Sequence, residues 1–133
     1  MEVQHKYIKM VVFKIIYKLL PFKKYIFLIL KWLYIPSKEI YQHLWFKGVF
    51  NVQLDKDKDF KIVHYGDFLE NQLFWDGIYG FEHNSTRLWQ ELSKNSNTIF
   101  DIGANTGIYT LIAKTTNSNA NIYAFEPVKR IYK

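Results

Sequence analysis

Five residues in the last third of the chain have the types and spacing of a cofactor site: Asp101, Gly103, Asn105, Gly107 and Glu126. Thr98-Ile99-Phe100-Asp101-Ile102 is a β-branched and aromatic run, Gly103 to Gly107 is a Gly-x-Asn-x-Gly turn, and Ile108 to Lys114 is an apolar helical pattern. After a polar loop, Ala120 to Phe125 reads as a second strand that ends at Glu126-Pro127. Strand, tight loop, helix and strand of this length make a βαβ unit, whose strands should run parallel with a right-handed crossover. Glycine has no Cβ, so it admits positive φ and lets a ligand lie against the backbone at the carboxyl end of the first strand. Glu126 would sit beside the same crevice, where a carboxylate can accept both hydroxyl protons of a ribose. It follows Gly103 by 23 residues, close to the roughly 20 expected of an acid that reads a ribose in such folds.

A nucleoside-containing cofactor is the natural inference, and the loop narrows which one. The dinucleotide fingerprint needs G-x-G-x-x-G, but here Asn105 and Ile108 stand at the second and third glycine positions, which weakens NAD and FAD. Asp101, two residues before the first glycine, brings a negative charge that would repel a pyrophosphate and attract an ammonium. A ligand with a cationic end and a ribose end fits both acids, and S-adenosylmethionine (SAM) is such a ligand. An NAD oxidoreductase is the weaker alternative, and a structural βαβ unit whose glycines only turn the chain is the bland one.

The run Phe100-Asp101-Ile102-Gly103-Ala104-Asn105-Thr106-Gly107 with Tyr109-Thr110, followed by Tyr123-Ala124-Phe125-Glu126-Pro127, resembles the N-terminal half of an FkbM-type SAM-dependent methyltransferase. Gly80-Phe81-Glu82 and the helix after it resemble the lead-in to the first motif there, so the likeness covers roughly residues 78 to 131. It implies that Asp101, Gly103 and Gly107, with Asn105 between the glycines, form the cofactor loop and that Glu126 binds the adenosine ribose. It also implies O-methylation of a sugar or natural-product hydroxyl, hence a small-molecule or glycan acceptor. The implied fold class is α/β, the start of a Rossmann-like sheet preceded by basic amphipathic helices and a β-hairpin. Such a sheet continues for several strands past Glu126, two of them on the far side of the Thr98–Ile102 strand, which would otherwise be an unpaired apolar edge. The chain therefore reads as truncated, inactive alone, with adenine-binding, acceptor-binding and proton-removing groups expected downstream; no catalytic residue is named.

The elements that must position this unit divide the chain into residues 1–38, 39–95 and 96–133. With 133 residues, 49% hydrophobic and 19% aromatic, there is material for a packed core. Zero cysteines remove disulfides, thiolate metal sites and cysteine nucleophiles. Of the net charge of +6, residues 1–38 hold +7 through eight lysines against Glu2, and the rest is −1. The lysines of this segment alternate with aliphatics and aromatics, which predicts two basic amphipathic helices broken near Pro21 and ended before Pro36. Too many lysines interrupt the segment for a spanning helix or a signal peptide. Its apolar faces either contact an anionic membrane surface peripherally or dock on the following domain. The latter leaves the lysines in solvent. A module in which this segment binds a membrane or a partner and the βαβ remnant is inactive is the alternative function. Arginine is absent from the segment, which disfavours nucleic acid. A cytoplasmic chain, with or without peripheral membrane contact, is expected.

Gly48 to Leu54 and Phe60 to Tyr65 alternate as the arms of a hairpin around the charged loop Asp55–Asp59. The loop lacks the glycine and terminal glutamate of a calcium motif. Gly66 to Glu82 reads as irregular aromatic structure. Arg87 to Lys94 reads as a helix with Leu88, Trp89 and Leu92 on one face, capped by Asn84 or Ser85. His5, His43, His64 and His83 have no metal-ligand spacing, so no metal site is expected.

Overall fold

The computed structural model describes Tyr17 and residues 20–129. The chain divides into two compact units, Met1–Tyr34 and Ile35–Lys133. In the first, helix α1 (Lys23–Leu33) begins after Phe22, a left-handed residue with φ 56° behind Pro21, and gives way to extended backbone at Tyr34. The ring of Tyr17 stacks on Phe27 at 6.3 Å, and the Lys23 ammonium lies 4.2 Å from the centre of the Tyr17 ring. The helix expected before Pro21 otherwise lies outside the described residues.

The second unit is mixed α/β, with two separate two-stranded sheets. Short helix α2 (Lys38–Tyr41) leads into a hairpin of β1 (Gly48–Asp55) and β2 (Lys58–His64), paired antiparallel from Gly48↔His64 to Asp55↔Lys58. Lys56 and Asp57 alone make the turn, because the expected five-residue loop is shortened by Asp55, Lys58 and Asp59 joining the ladder. Period-two alternation is strict: Phe50, Val52, Leu54, Phe60, Ile62 and His64 are buried, and their neighbours face outward. Phe46, Phe50 and Phe74 meet edge to face at 4.9–6.1 Å on this inner surface, with Trp75 against Phe74 at 5.1 Å. These four buried rings fill much of this core.

Helix α3 (Phe68–Asp76) corrects the expectation of irregular structure over Gly66–Glu82. Glu70, Asn71, Leu73, Phe74 and Trp75 are all buried, so the helix has no polar stripe by which the sequence could reveal it. Gly77, with φ 73°, ends it by donating its N–H to the Leu73 carbonyl. The join between β2 and α3 is polar and buried. His64, fully buried, lies 3.2 Å from Glu70 through Nδ1 and 3.3 Å from Asn71 through Nε2, while the Tyr65 amide donates to Glu70 Oε2 at 2.6 Å.

Burial alone would raise the Glu70 carboxyl pKa. The hydrogen bonds from His64 and the Tyr65 amide, with the His64 charge, outweigh it and hold the carboxyl below its ordinary value. Because the folded-state pKa is depressed, the stabilisation is full above the unfolded value of about 4.3 and is lost as pH falls through the folded one. Glu70→Gln should destabilise the domain by about 2 kcal/mol at pH 7. The gap to the parent should close in urea titrations below about pH 4; a gap constant from pH 7 to pH 2 would contradict this.

Helix α4 (His83–Ser93) starts four residues earlier than expected and places Asn84 and Ser85 inside the helix; it has no side-chain cap. Its buried side is Thr86, Gln90 and Ser93 with Trp89 half-buried, while Leu88 and Leu92 are each 61% exposed. Thr86 and Ser93 bond back to carbonyls of their own helix, so their small side chains present no unsatisfied hydroxyl at the packed face. A wheel reading that buries the most apolar face misses this arrangement.

Strand β3 (Thr98–Ile102), helix α5 (Ile108–Thr116) and β4 (Asn121–Phe125) form the βαβ unit, with the strands parallel in register from Thr98↔Asn121 to Ile102↔Phe125. Ile99, Ala113 and Ala120 make its core, with Trp89 and Ile122 against them. α5 also packs on β2, and Lys58 Nζ reaches the Thr116 carbonyl at 2.8 Å. The hairpin is thus held beside the glycine loop. Among the described residues, no helix is long and apolar enough to cross a membrane.

Candidate cofactor cleft

The strand-to-helix turn is built from left-handed residues. Gly103, Asn105 and Gly107 have φ of 82°, 48° and 78°. No heavy atom lies within 4 Å of where a Cβ on Gly103 or Gly107 would be, so backbone conformation and not crowding calls for glycine there. Asparagine is among the few other residues that tolerate this region.

The loop's amides are turned inward. Gly103 and Ala104 N–H both donate to the Phe125 carbonyl, at 2.8 and 3.0 Å, and Gly107 N–H to the Ala104 carbonyl at 2.7 Å. Asn105 N–H donates to Glu126 Oε2 at 2.8 Å, and Val128 N–H to Glu126 Oε1 at 2.7 Å. Each Glu126 oxygen therefore accepts one backbone bond and keeps further acceptor capacity. The carboxylate is fixed at the joint between the two strand ends.

Asn105, Gly107 and Glu126 share one cleft of about 1030 Å³, whose other wall includes Lys61, Val63 and Tyr65 of the hairpin and Asp67 and Phe68 at the start of α3. Gly103 and Asp101 are not part of that lining. Asp101 is 8% exposed and accepts a 2.5 Å hydrogen bond from the Thr110 hydroxyl in the first turn of α5. It braces the loop from behind. Thr106 lines the cleft, and its hydroxyl oxygen is buried with no partner among the described residues, a deficit that a polar ligand atom would relieve.

Glu82, φ 41°, fixes the far side of α5 by accepting from the Tyr109 hydroxyl at 2.6 Å. Burial, then the Glu82 carboxylate, pushes the Tyr109 phenol up to about 12, so it stays protonated and a donor at neutral pH. Sequence reasoning missed the hairpin wall as part of the site. The signal was present: with Phe60, Ile62 and His64 inward, period two turns Lys61, Val63 and Tyr65 outward. Among the described residues, no group of three or more histidine or acidic side chains could hold a metal ion.

No protein-family model, curated protein or solved structure matches the chain.

Proposed function

We propose that the chain is part of a SAM-dependent methyltransferase of the FkbM type, with a Rossmann-like sheet, a cytoplasmic location and a sugar or natural-product hydroxyl as acceptor. The observation that carries the proposal is the bonding of the glycine loop. A dinucleotide cradle offers free N–H groups to a pyrophosphate. Here those of Gly103, Ala104, Asn105 and Gly107 are all spent within the chain, one of them on a carboxylate. An anion would meet Glu126 and no free amide from these four residues. A ribose diol suits what remains, since its two hydroxyls can donate to the two Glu126 oxygens.

The residues present fit SAM, which when bound supplies a methyl group on a positively charged sulfur. Glu126 would orient the ribose, Thr106 would satisfy its hydroxyl on a polar atom of the ligand, and the loop would give close backbone approach. The Asp101 charge, held behind the loop by Thr110, favours a cation in the cleft through a poorly screened interior. Transfer from a sulfonium depends on in-line positioning, and the hairpin wall at Lys61 and Tyr65 would border the acceptor's approach. In this reading further strands pair with the open edge of β3, and the helices that connect them cover the row Phe100, Ile102, Tyr123 and Phe125, whose Phe100 stacks on Tyr123 at 5.4 Å while all four remain largely exposed.

Calorimetric titration separates this from the dinucleotide reading. SAM should bind saturably and NADH should not; saturable NADH binding, or no SAM binding, would overturn the proposal.

A further inference from the structure

Helix α1 is amphipathic, with its apolar arc on the exposed side. At 100° per residue, Tyr25, Ile26, Ile29, Trp32 and Leu33 fall within an arc of about 120°, and Lys23, Lys24 and Lys31 lie on the other side around Phe27. The buried residue is Phe27, in the middle of the lysine side, and the three lysines are half-buried there. The apolar arc faces outward: Ile29 is 60%, Leu33 68% and Trp32 83% exposed. Exposing this much contiguous apolar surface marks an interaction site.

We infer that this arc of α1 seats in the interface of an anionic lipid bilayer, with the helix lying in the membrane plane. Charge selects the occupant. Residues 1–38 carry +7, and α1 contains lysines and no acid, so a second copy laid on the same face would bring like charges together, whereas anionic headgroups attract them. The side chains are those of an interfacial helix: tyrosine and tryptophan beside aliphatics, on a segment rich in lysine. Eleven residues span about 16 Å as a helix, roughly half the hydrocarbon thickness, which fits lying on the surface and not crossing it. This inference stands independently of the cofactor reading.

The test is co-sedimentation of the whole chain with phosphatidylcholine vesicles, with or without about one-third phosphatidylserine. The expected result is at least about tenfold stronger partitioning onto the anionic vesicles, weakened by salt, and a blue shift of tryptophan emission that Trp32→Phe removes without abolishing binding. The doubly substituted Ile29→Asp/Leu33→Asp chain, altered only at exposed positions, should lose binding at least tenfold and keep its thermal midpoint. Three results would overturn the inference: no binding to anionic vesicles, binding by that variant within twofold of the parent, or dimerisation that the variant abolishes in a chain that ignores vesicles.

Discussion

Glu126→Gln should weaken SAM binding about a hundredfold while leaving the domain folded. The carboxylate is held by Asn105 N–H on one oxygen and Val128 N–H on the other, and both oxygens are needed again if the two ribose hydroxyls donate to it. An amide keeps one acceptor oxygen and replaces the other with a donor, which faces either a backbone N–H or a hydroxyl. Hydrogen bonds to a charged group contribute about 1.5–3 kcal/mol each, so losing the equivalent of one or two amounts to about 3 kcal/mol, or two decades of affinity. The two backbone bonds are solvent-exposed, so the thermal midpoint should move little. SAM affinity within threefold of the parent would remove Glu126 from the site.

The second large effect concerns stability. Trp75 is fully buried, its indole N–H donates to the Leu44 carbonyl at 3.1 Å, and its ring lies between Phe74 at 5.1 Å and Tyr41 at 6.1 Å. Trp75→Ala would remove the largest side chain of the hairpin core and leave a carbonyl without its partner. Such truncations cost about 3–5 kcal/mol, against a total of about 5–15 kcal/mol for a domain. Urea denaturation should show the unfolding free energy falling by that amount at constant slope, or no folded baseline at 37 °C. A loss under 1 kcal/mol would mean that α3 is not the core of this unit.

The two variants separate what the sequence shows from what it hides. The βαβ unit and the hairpin were legible because their signals are local: a β-branched run stopped by glycines, and alternation from Phe50 to Leu54 and from Phe60 to His64. Helix α3 was hidden because burial of Glu70 and Asn71 with Leu73, Phe74 and Trp75 erases the polar stripe by which a helix is recognised. Only Gly77 punctuates its end. The orientation of α4 was hidden for a related reason, since Thr86 and Ser93 satisfy their hydroxyls within the helix and so can face inward as small residues.

At the site, the spacing from Gly103 to Glu126 anticipated that the loop and the acid meet, and the structure joins them through Asn105 N–H. Which side chains line the cleft was not legible. Asp101 reads in sequence as a group of the cradle, but its place in β3 turns it inward to Thr110, because the side chains of Asp101 and Ile99 point to the packed face while Phe100 and Ile102 point away.

The claim that rests on most of these observations is that SAM occupies the cleft between the glycine loop and the hairpin. Its most direct test is a SAM titration of the isotopically labelled chain followed at the backbone amides. The account predicts saturable shifts at Asn105, Thr106, Gly107 and Val128, smaller ones at Lys61 and Tyr65, and none along Lys23–Leu33. Shifts confined to other residues, or the same loop shifts with NADH as with SAM, would contradict it.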